Sequence, residues 1–376
     1  YYGGGQDPNA YGNTTDLNWM AGSQYVYSFG KCIFMPADLT AGIEFNQDKL
    51  EDNMWGYHRT VDQKVNIGSA FFQNEWKNEH WGFLIGGRLD KHNLIDHVIF
   101  SPRANLRYNP TENINLRFSY SSGFRAPQAF DEDLHVENVG GNVAMVELAD
   151  NLKEERSQSL SASADIYHRF GAFQVNFLVE GFYTKLSDVF ALTDGEVVDG
   201  ILTRTRYNAP GARVMGLTLE GKMAYLTKFQ VQAGVTLQQS HYSEPHVWNK
   251  EAPAVKKMMR TPNTYGYFTA TYTPIKPLSI ALSGTYTGSM LVPHEPVPGF
   301  LEKPITVNTK DFFDIGLKAA YDFKLYKSMN LQVNAGVQNI FNAYQNDFDK
   351  GADRDSGYIY GPSLPRSFFA GVKISY

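Results

Sequence analysis

Residues 367–376 read SFFAGVKISY, and this stretch decides how the rest of the chain is interpreted. One face carries Phe368, Ala370, Val372, Ile374 and Tyr376, and the other carries Ser367, Phe369, Gly371, Lys373 and Ser375. A period of two residues is that of a β-strand, in which successive side chains point to opposite faces. The stretch is therefore predicted to be a strand with one apolar face that ends on an aromatic residue.

The same alternation recurs upstream, and it is clear where Ile114, Leu116, Phe118 and Tyr120 alternate with Asn115, Arg117 and Ser119. Such repeats predict about fifteen strands along the chain. The longest repeat, residues 203–226, is predicted to form one strand. A break at the Asn-Ala-Pro-Gly of residues 208–211 would instead raise the count to about sixteen.

The second face of these strands is rich in Asn, Gln, Ser, Thr, Gly, Arg and Glu, which suits a wet or plugged interior better than a dry core. Connections between strands alternate between short and long, as in outer-membrane barrels, where short turns face the periplasm. Aromatic residues make up 14% of the chain while its mean hydropathy is −0.36. We predict an all-β fold, an antiparallel multi-pass transmembrane β-barrel in contact with the lipid of a Gram-negative outer membrane.

Composition argues against several other classes of protein. No stretch approaches the roughly 18 consecutive apolar residues of a membrane helix. The net charge of −5 and the lack of a basic block give no footprint for nucleic acid, which is not an expected partner. Cys32 is the only cysteine, so no disulfide framework is present. Without a nucleophile elbow, a metalloprotease helix or a phosphate loop, the chain is not predicted to be an enzyme.

Several motifs, in this order, resemble those of TonB-dependent outer-membrane receptors. They are Phe124-Arg125-Ala126-Pro127, Asn151-Leu152 followed by Lys153-Glu154-Glu155, YNAPGARVMGLTLE at residues 207–220, Asn339-Ile340-Phe341-Asn342, Pro365-Arg366 and Tyr376. Asn151-Leu152 match the second half of the family's Asn-Pro-Asn-Leu motif, and Ala149-Asp150 stand where its first two residues would be. The sequence GFRAPQAFDEDLH at residues 123–135 is similar to the corresponding segment of receptors of the Bacteroidetes. The role expected for Arg125 is to pair with carboxylates in the interior.

The resemblance implies a barrel of about 22 strands around an N-terminal plug. Residues 1–376 would be the C-terminal part of that barrel, with the plug and the first strands absent from this chain. An odd strand count places residues 1–13 on the outer side. Such a receptor imports a ferric siderophore, haem or cobalamin, and the TonB complex drives it from the periplasm through the absent N-terminal part. A surface lipoprotein is a further candidate partner.

Two other interpretations remain open at this point. A passive general porin of about sixteen strands would fit the present length. A soluble β-rich binding module would require that rows such as Ile114, Leu116, Phe118 and Tyr120 stay exposed to water, which disfavours it. The receptor is preferred because of its motifs.

Candidate substrate-binding residues lie in the predicted outer loops. They are Asp131, Glu132, His135, Trp55, Tyr57, Trp248, Tyr358 and Tyr360. Receptors of this family that take haem place a histidine ligand between the Phe-Arg-Ala-Pro motif and the Asn-Leu motif, where His135 lies. A lone histidine is nevertheless more often an ordinary loop residue. The aromatic residues could stack on a bulky ligand. His241, His246, Met258, Met259, Met290 and His294 also fall in two outer loops, but their spacing fits no metal template.

Acidic residues recur at every second position, apart from Gly351, in one outer loop. They are Asp347, Asp349, Asp353 and Asp355. This pattern is a candidate for calcium, although it lacks the glycine position of an EF-hand, and a charged, flexible outer loop is the more common explanation. No cofactor is required by the sequence. Iron or cobalt would arrive only as part of a bound cargo.

Overall fold

The computed structural model describes residues 11–127, 143–193, 196–198, 201–326, 328–351, 354–355 and 357–376. These residues form strands almost throughout, with one single-turn 3-10 helix at Trp55–Tyr57. No helix in the described ranges has the length and apolar character needed to span a membrane. The prediction of an all-β chain is confirmed.

The strands are numbered in chain order. The first eleven are β1 Asn13–Cys32, β2 Met35–Met54, β3 Arg59–Lys77, β4 Trp81–His92, β5 Ile99–Thr111, β6 Ile114–Arg125, β7 Val143–Leu148, β8 Glu155–Phe170, β9 Phe173–Ser187, β10 Val189–Leu192 and β11 Glu196–Val198. The others are β12 Ile201–Ala209, β13 Ala212–Tyr225, β14 Phe229–His246, β15 Val255–Lys257, β16 Thr264–Ile275, β17 Leu278–Thr287, β18 Leu291–His294, β19 Ile305–Asn308, β20 Phe312–Tyr326, β21 Met329–Gln338 and β22 Ser367–Ser375.

One large antiparallel sheet forms the wall of the molecule. Its order is β1-β2-β3-β4-β5-β6-β8-β9-β13-β14-β16-β17-β20-β21-β22, with β15 added beside β14. These fifteen wall strands match the predicted number. Within the described residues β1 and β22 do not pair with each other, so the sheet is open and the chain is a partial barrel. Parallel pairing occurs between β7 and β12, outside the wall.

The register of the wall collects the apolar side chains on one face. In one row across five strands, Leu116 lies opposite Ala164, then Val179, Leu219 and Val235 follow in turn. Directly opposed residues of antiparallel strands have their side chains on the same face. Because the alternation continues from strand to strand in register, the outward face is a continuous apolar band. The predicted period-two pattern therefore describes the whole wall.

Polar side chains occupy the opposite, inner face, and they are joined by hydrogen bonds across strands. Arg88 on β4 donates to Glu44 on β2 at 2.7 Å and to Ser69 on β3 at 2.7 Å. Ser69 in turn donates to Asp90 at 2.6 Å. Similarly, the hydroxyl of Tyr267 accepts a hydrogen bond from Gln232 at 2.7 Å. The inner face is thus a polar surface, as predicted.

The expectation of one strand over residues 203–226 was wrong. The chain forms β12 up to Ala209, turns at Pro210 and Gly211, and begins β13 at Ala212. Proline has no N–H to continue a ladder. A Cβ at Gly211 would overlap the carbonyl oxygen of Leu186, so only glycine fits this close approach. The wall still has fifteen strands, because β12 belongs to a separate sheet with β7, β10 and β11.

The two ends of the wall differ in their connections. Short turns join β1 to β2, β3 to β4, β5 to β6, β8 to β9, β13 to β14, β16 to β17 and β20 to β21, and the connections at the other end are generally longer. Aromatic rings gather near the short turns. The ring centroids of Trp81 and Tyr108 are 4.2 Å apart, and those of Phe34 and Trp76 are 5.6 Å apart. Gly56 N donates to Tyr11 O, which places the described start of the chain at the end with the long connections, as predicted.

Candidate functional site

Two long connections pack against each other at the end of the wall that carries the long connections. One joins β17 to β20 and contains the hairpin of β18 and β19. The other joins β21 to β22 and carries the four predicted acidic residues together with two predicted tyrosines. We call His294, Asp347, Asp349, Tyr358 and Tyr360 the outer-loop cluster. It is the candidate site.

One half of the outer-loop cluster is formed by two phenols and a carboxylate. The Tyr360 hydroxyl donates to the carboxylate of Asp347 at 2.6 Å, and the Tyr358 hydroxyl lies 3.2 Å from the same group. The two rings meet edge to face, with their centroids 5.3 Å apart. Asp347 is therefore held by two neutral donors.

The other half is a buried pair of His294 and Asp349, with His294 Nε2 at 2.8 Å from Asp349 Oδ2. The imidazole stacks flat on the ring of Tyr358, with centroids 3.7 Å apart and planes 6° from parallel. Met290 and Val292 pack beneath Tyr358 and are also buried. His294, Met290 and Val292 belong to the connection from β17 to β20, whereas Asp349 and Tyr358 belong to the connection from β21 to β22. The contacts of the outer-loop cluster therefore hold the two connections together.

Gln345 and Arg260 hold the backbone around the two tyrosines. The Gln345 side chain is 1% exposed. Its amide donates to Tyr358 O at 3.0 Å and accepts from Tyr360 N at 2.8 Å. Arg260 comes from the connection between β14 and β16, and it donates to Ile359 O at 2.8 Å and to Gly357 O. These bonds fix the tyrosines without using their hydroxyls.

The connection from β21 to β22 is closed at its base by two asparagines of the Asn-Ile-Phe-Asn motif. Asn339 has a φ of 50° and Asn342 a φ of 56°, a left-handed conformation that asparagine tolerates better than most residues. The Asn339 side chain donates to Ala343 O at 3.1 Å and to Leu364 O at 3.0 Å. Asn342 accepts from Arg366 N at 2.9 Å. The motif thus joins the start of the connection to its end.

The phenols of the outer-loop cluster resist ionisation. Burial, followed by the neighbouring charge of Asp347, raises the pKa of Tyr358 from 10.0 to about 12. Burial and the hydrogen bond to Asp347 also raise the pKa of Tyr360. Both hydroxyls therefore remain neutral donors at physiological pH.

This shift predicts a pH dependence for the docked connection. Because the pKa of Tyr358 is raised, its hydrogen bond stabilises the folded connection fully below pH 10 and ceases to do so as the pH rises through about 12. Titration of tyrosinate absorbance in the complete receptor should show a component near pH 12 that is smaller in Tyr358→Phe. Phenylalanine keeps a ring for stacking on His294. An unchanged component in that variant would contradict the assignment.

The other family motifs meet at the base of the small sheet outside the wall. The guanidinium carbons of Arg125 and Arg206 each lie 5.6 Å from the ring centroid of Phe190. Glu155 accepts from Phe190 N at 3.0 Å. Asn208 exchanges two hydrogen bonds with the backbone of Lys153, at 2.8 and 3.1 Å. These motif residues attach the small sheet to the wall, which is a structural role.

Of the remaining predicted site residues, Trp55, Tyr57 and Trp248 lie in connections at the same end of the wall. Asp131, Glu132, His135 and Asp353 lie outside the described residues. Trp55 is 56% exposed, and Tyr57 is half-buried in the same turn. Trp248 is half-buried in the connection from β14 to β16. Among the ring contacts of the described residues, neither Trp55 nor Trp248 meets Tyr358 or Tyr360.

The acidic residues of the calcium prediction are engaged with protein groups. Asp347 accepts from the tyrosines, Asp349 faces His294, and Asp355 accepts from Glu295 N at 2.9 Å and Gly357 N at 2.8 Å. In the described ranges, no group of three or more His, Cys, Asp or Glu side chains could hold a metal ion. Since Asp353 is not among those residues, calcium stays a prediction.

The sequence missed Gln345 and Arg260, which determine the shape of the outer-loop cluster. A buried glutamine in a predicted polar loop gives no local signal, because its hydrogen-bond partners, Tyr358 and Tyr360, meet it only once the connection has folded back. His294 was noted only as a possible soft metal ligand. Its placement beside Asp349 and Tyr358 instead gives it a packing role in this structure.

The geometry defines a class of protein: a membrane barrel wall with an apolar exterior, a polar interior and folded outer loops. Residues 1–340 match the family profile described as TonB dependent receptor-like, beta-barrel. The chain belongs to this family of TonB-dependent receptor barrels. The prediction of the family from its motifs is confirmed, while an origin in the Bacteroidetes stays a prediction. No curated protein sequence matches the chain.

Solved structures of siderophore receptors are similar in fold. A variant of the ferric enterobactin receptor from Pseudomonas aeruginosa has 17% identity and a TM-score of 0.68, over 96% of this chain and 54% of that one. The siderophore receptor PirA from Acinetobacter baumannii has 16% identity and a TM-score of 0.66, over 96% and 54%. The ferric-catecholate import receptor Fiu from E. coli has 15% identity and a TM-score of 0.68, over 96% and 55%. The chain thus spans about half the length of each.

Proposed function

We propose that this chain forms part of an outer-membrane receptor that imports a ferric siderophore in a TonB-dependent manner. The observation that carries the proposal is the wall itself, apolar outside and polar inside, with folded connections at one end, in a chain of the TonB-dependent receptor family. A polar interior lets a hydrophilic cargo cross a lipid layer that would otherwise exclude it. Family membership also favours a receptor over the passive porin.

The remainder of the proposed receptor completes the barrel. The open sheet leaves the outer edges of β1 and β22 unpaired in the described residues, and such edges are not stable in lipid. Further strands, to about 22, and a plug that contacts TonB in the periplasm would supply the missing parts. A surface lipoprotein above the long connections is an additional proposed partner.

A ferric siderophore is preferred to haem or cobalamin as cargo. The support comes from the structurally similar proteins, whose names specify ferric enterobactin and ferric-catecholate import. Exposed Trp55, and Tyr360 with its hydroxyl on Asp347, provide aromatic and polar surface of the kind that a bulky aromatic chelate requires. Calcium in the connection from β21 to β22 would stiffen this surface, and it remains a separate proposal.

The test is binding of three probes to the complete receptor in detergent: ferric enterobactin, haemin and cyanocobalamin. We expect ferric enterobactin to quench tryptophan fluorescence saturably. Trp55→Ala should weaken its binding about tenfold, since an aromatic contact contributes about 0.5–1.5 kcal/mol beyond the area that it buries.

Trp81→Ala is the matched control, because Trp81 lies at the opposite end of the wall, against Tyr108. Its affinity for the probe should equal that of the wild type. Binding of haemin or cyanocobalamin alone would reject the siderophore and retain the receptor. If none of the three probes binds, and cells that lack the receptor grow normally on each as a nutrient source, the import function is wrong.

A further inference from the structure

A row of basic residues crosses the outer surface of the wall near its long connections. Lys185 on β9 lies opposite Arg213 on β13, Arg213 opposite His241 on β14, and His241 opposite Lys257 on β15. We call these four residues the basic row. Neighbouring strands are about 4.8 Å apart, so the row extends over about 14 Å.

The basic row lies on the membrane-facing side of the wall. Side chains two residues apart on a strand share a face. Lys185 therefore shares its face with Tyr183, and Arg213 shares its face with Met215, which both belong to the apolar band. Lys185 and Arg213 are exposed. Within the part of the chain that the structure describes, none of the four side chains makes a hydrogen bond or an ion pair.

Cations placed side by side without counter-charges repel one another. The same face of β8, β9 and β14 offers Gln158, Ser187 and Gln239 beside the row, none of which is acidic. The Glu154 carboxylate, further along that face, is already bound to Arg156, which lies opposite Ser187. By contrast, Lys49 and Lys64, which pair across β2 and β3 on the same outer face, are followed there by Glu51 and Asp62. The basic row therefore needs anions from outside this part of the wall.

Directly beside the basic row, toward the middle of the wall, the apolar face contains a groove of about 870 Å³. Its floor is made by Gly181 and Ala162, which lie opposite each other. Its sides include Leu160, Tyr183, Leu217 and Leu237. A Cβ added to Gly181 would meet no atom within 4 Å, so the groove is open above this residue.

We propose that the basic row and the groove form one binding site for a phosphorylated, multiply acylated glycolipid of the outer leaflet. Phosphate groups would bind Lys185 and Arg213 through charge-assisted hydrogen bonds, and acyl chains would fill the groove over Gly181. Charge and apolar surface occur in the order that a lipid presents them, headgroup outward and chains toward the membrane centre. The inference rests on the placement in the outer membrane given under Proposed function.

The experiment measures binding of diphosphorylated lipid A to the complete receptor, purified from outer membranes in detergent. The double variant Lys185→Gln/Arg213→Gln should bind about thirtyfold more weakly, since each basic residue near a lipid surface contributes about fivefold. Gly181→Leu, which leaves every charge in place, should also weaken binding by filling the groove. Lipid A stripped of its phosphates should bind the wild type as weakly as the diphosphorylated form binds the double variant.

Lys49→Gln/Lys64→Gln is the matched control, with the same change of charge on the same face. It should bind lipid A like the wild type. Equal weakening in this control would show general attraction of anions and overturn the site. Unchanged binding in either the double variant or Gly181→Leu would also overturn it.

A receptor that is dimeric in detergent and becomes monomeric in Gly181→Leu would assign the groove to a protein interface, which is the rival occupant. Failure of the siderophore proposal is distinguishable, because lipid binding is measured without cargo. Failure of the membrane placement would appear earlier, as a receptor absent from the outer-membrane fraction, and it would remove both proposals.

Discussion

Replacing Gly211 with alanine is expected to lower the free energy of unfolding of the complete receptor by about 3 kcal/mol, the upper end of overpacking costs. The new methyl group would overlap the carbonyl oxygen of Leu186, which is backbone of β9 and cannot rotate away. The junction of β9 and β13 must then shift, together with the bond from Ser243 N to Gly211 O. Urea unfolding in detergent measures the loss.

Gly221→Ala provides the control on the same strand, because a Cβ at Gly221 would meet no atom within 4 Å. Its unfolding free energy should differ from that of the wild type by less than about 0.5 kcal/mol. If both variants are equally stable, the close approach at Gly211 is not a constraint and the break between β12 and β13 has another cause.

Asn339→Ala is expected to release the connection between β21 and β22 from the outer-loop cluster. The substitution removes bonds to Ala343 O and Leu364 O, and it leaves alanine in a left-handed conformation. Unsatisfied buried groups cost about 1–3 kcal/mol each, so protection against hydrogen exchange in residues 343–364 should fall by about a hundredfold or more. The wall strands should keep their protection.

Asn339→Gly separates the two causes, because glycine adopts the left-handed conformation without strain but cannot make the bonds. It should recover only part of the protection. Asn330→Ala, near the start of β21, is the neutral control, since its side chain is exposed and makes one long hydrogen bond of 3.5 Å to Ser328 O. If Asn339→Ala keeps full protection against hydrogen exchange, the outer-loop cluster holds the connection in place without the hydrogen bonds of Asn339, and the prediction is wrong.

The wall was predictable from the sequence because alternation is a local property. A residue such as Leu116 shows its face through its neighbours at two-residue spacing, and this was enough to obtain the strand number and the polar interior. The break at Pro210 and Gly211 was visible as a possibility, but the choice between one strand and two was wrong. That choice depends on how closely β9 passes Gly211, which local sequence does not encode.

The outer loops were predictable in composition but not in arrangement. Tyr358, Tyr360 and Asp347 were recognised as candidate residues, and the structure brings them together. Their supports, Gln345 and Arg260, have no distinguishing pattern, because a polar side chain in a loop is ordinarily solvated. Burial of Gln345 becomes evident only when its own connection folds back, so that the amide meets Tyr358 O and Tyr360 N.

The sequence alone determined which side chains face lipid and which face the interior, and at which end the long connections lie, since both follow from the two-residue period and from chain length between strands. The tertiary structure decided which residues become neighbours across strands. Lys185, Arg213, His241 and Lys257 are far apart in the chain and form a row only through the register of β9, β13, β14 and β15. Register is fixed by backbone hydrogen bonds between strands, and these form only once the sheet is assembled.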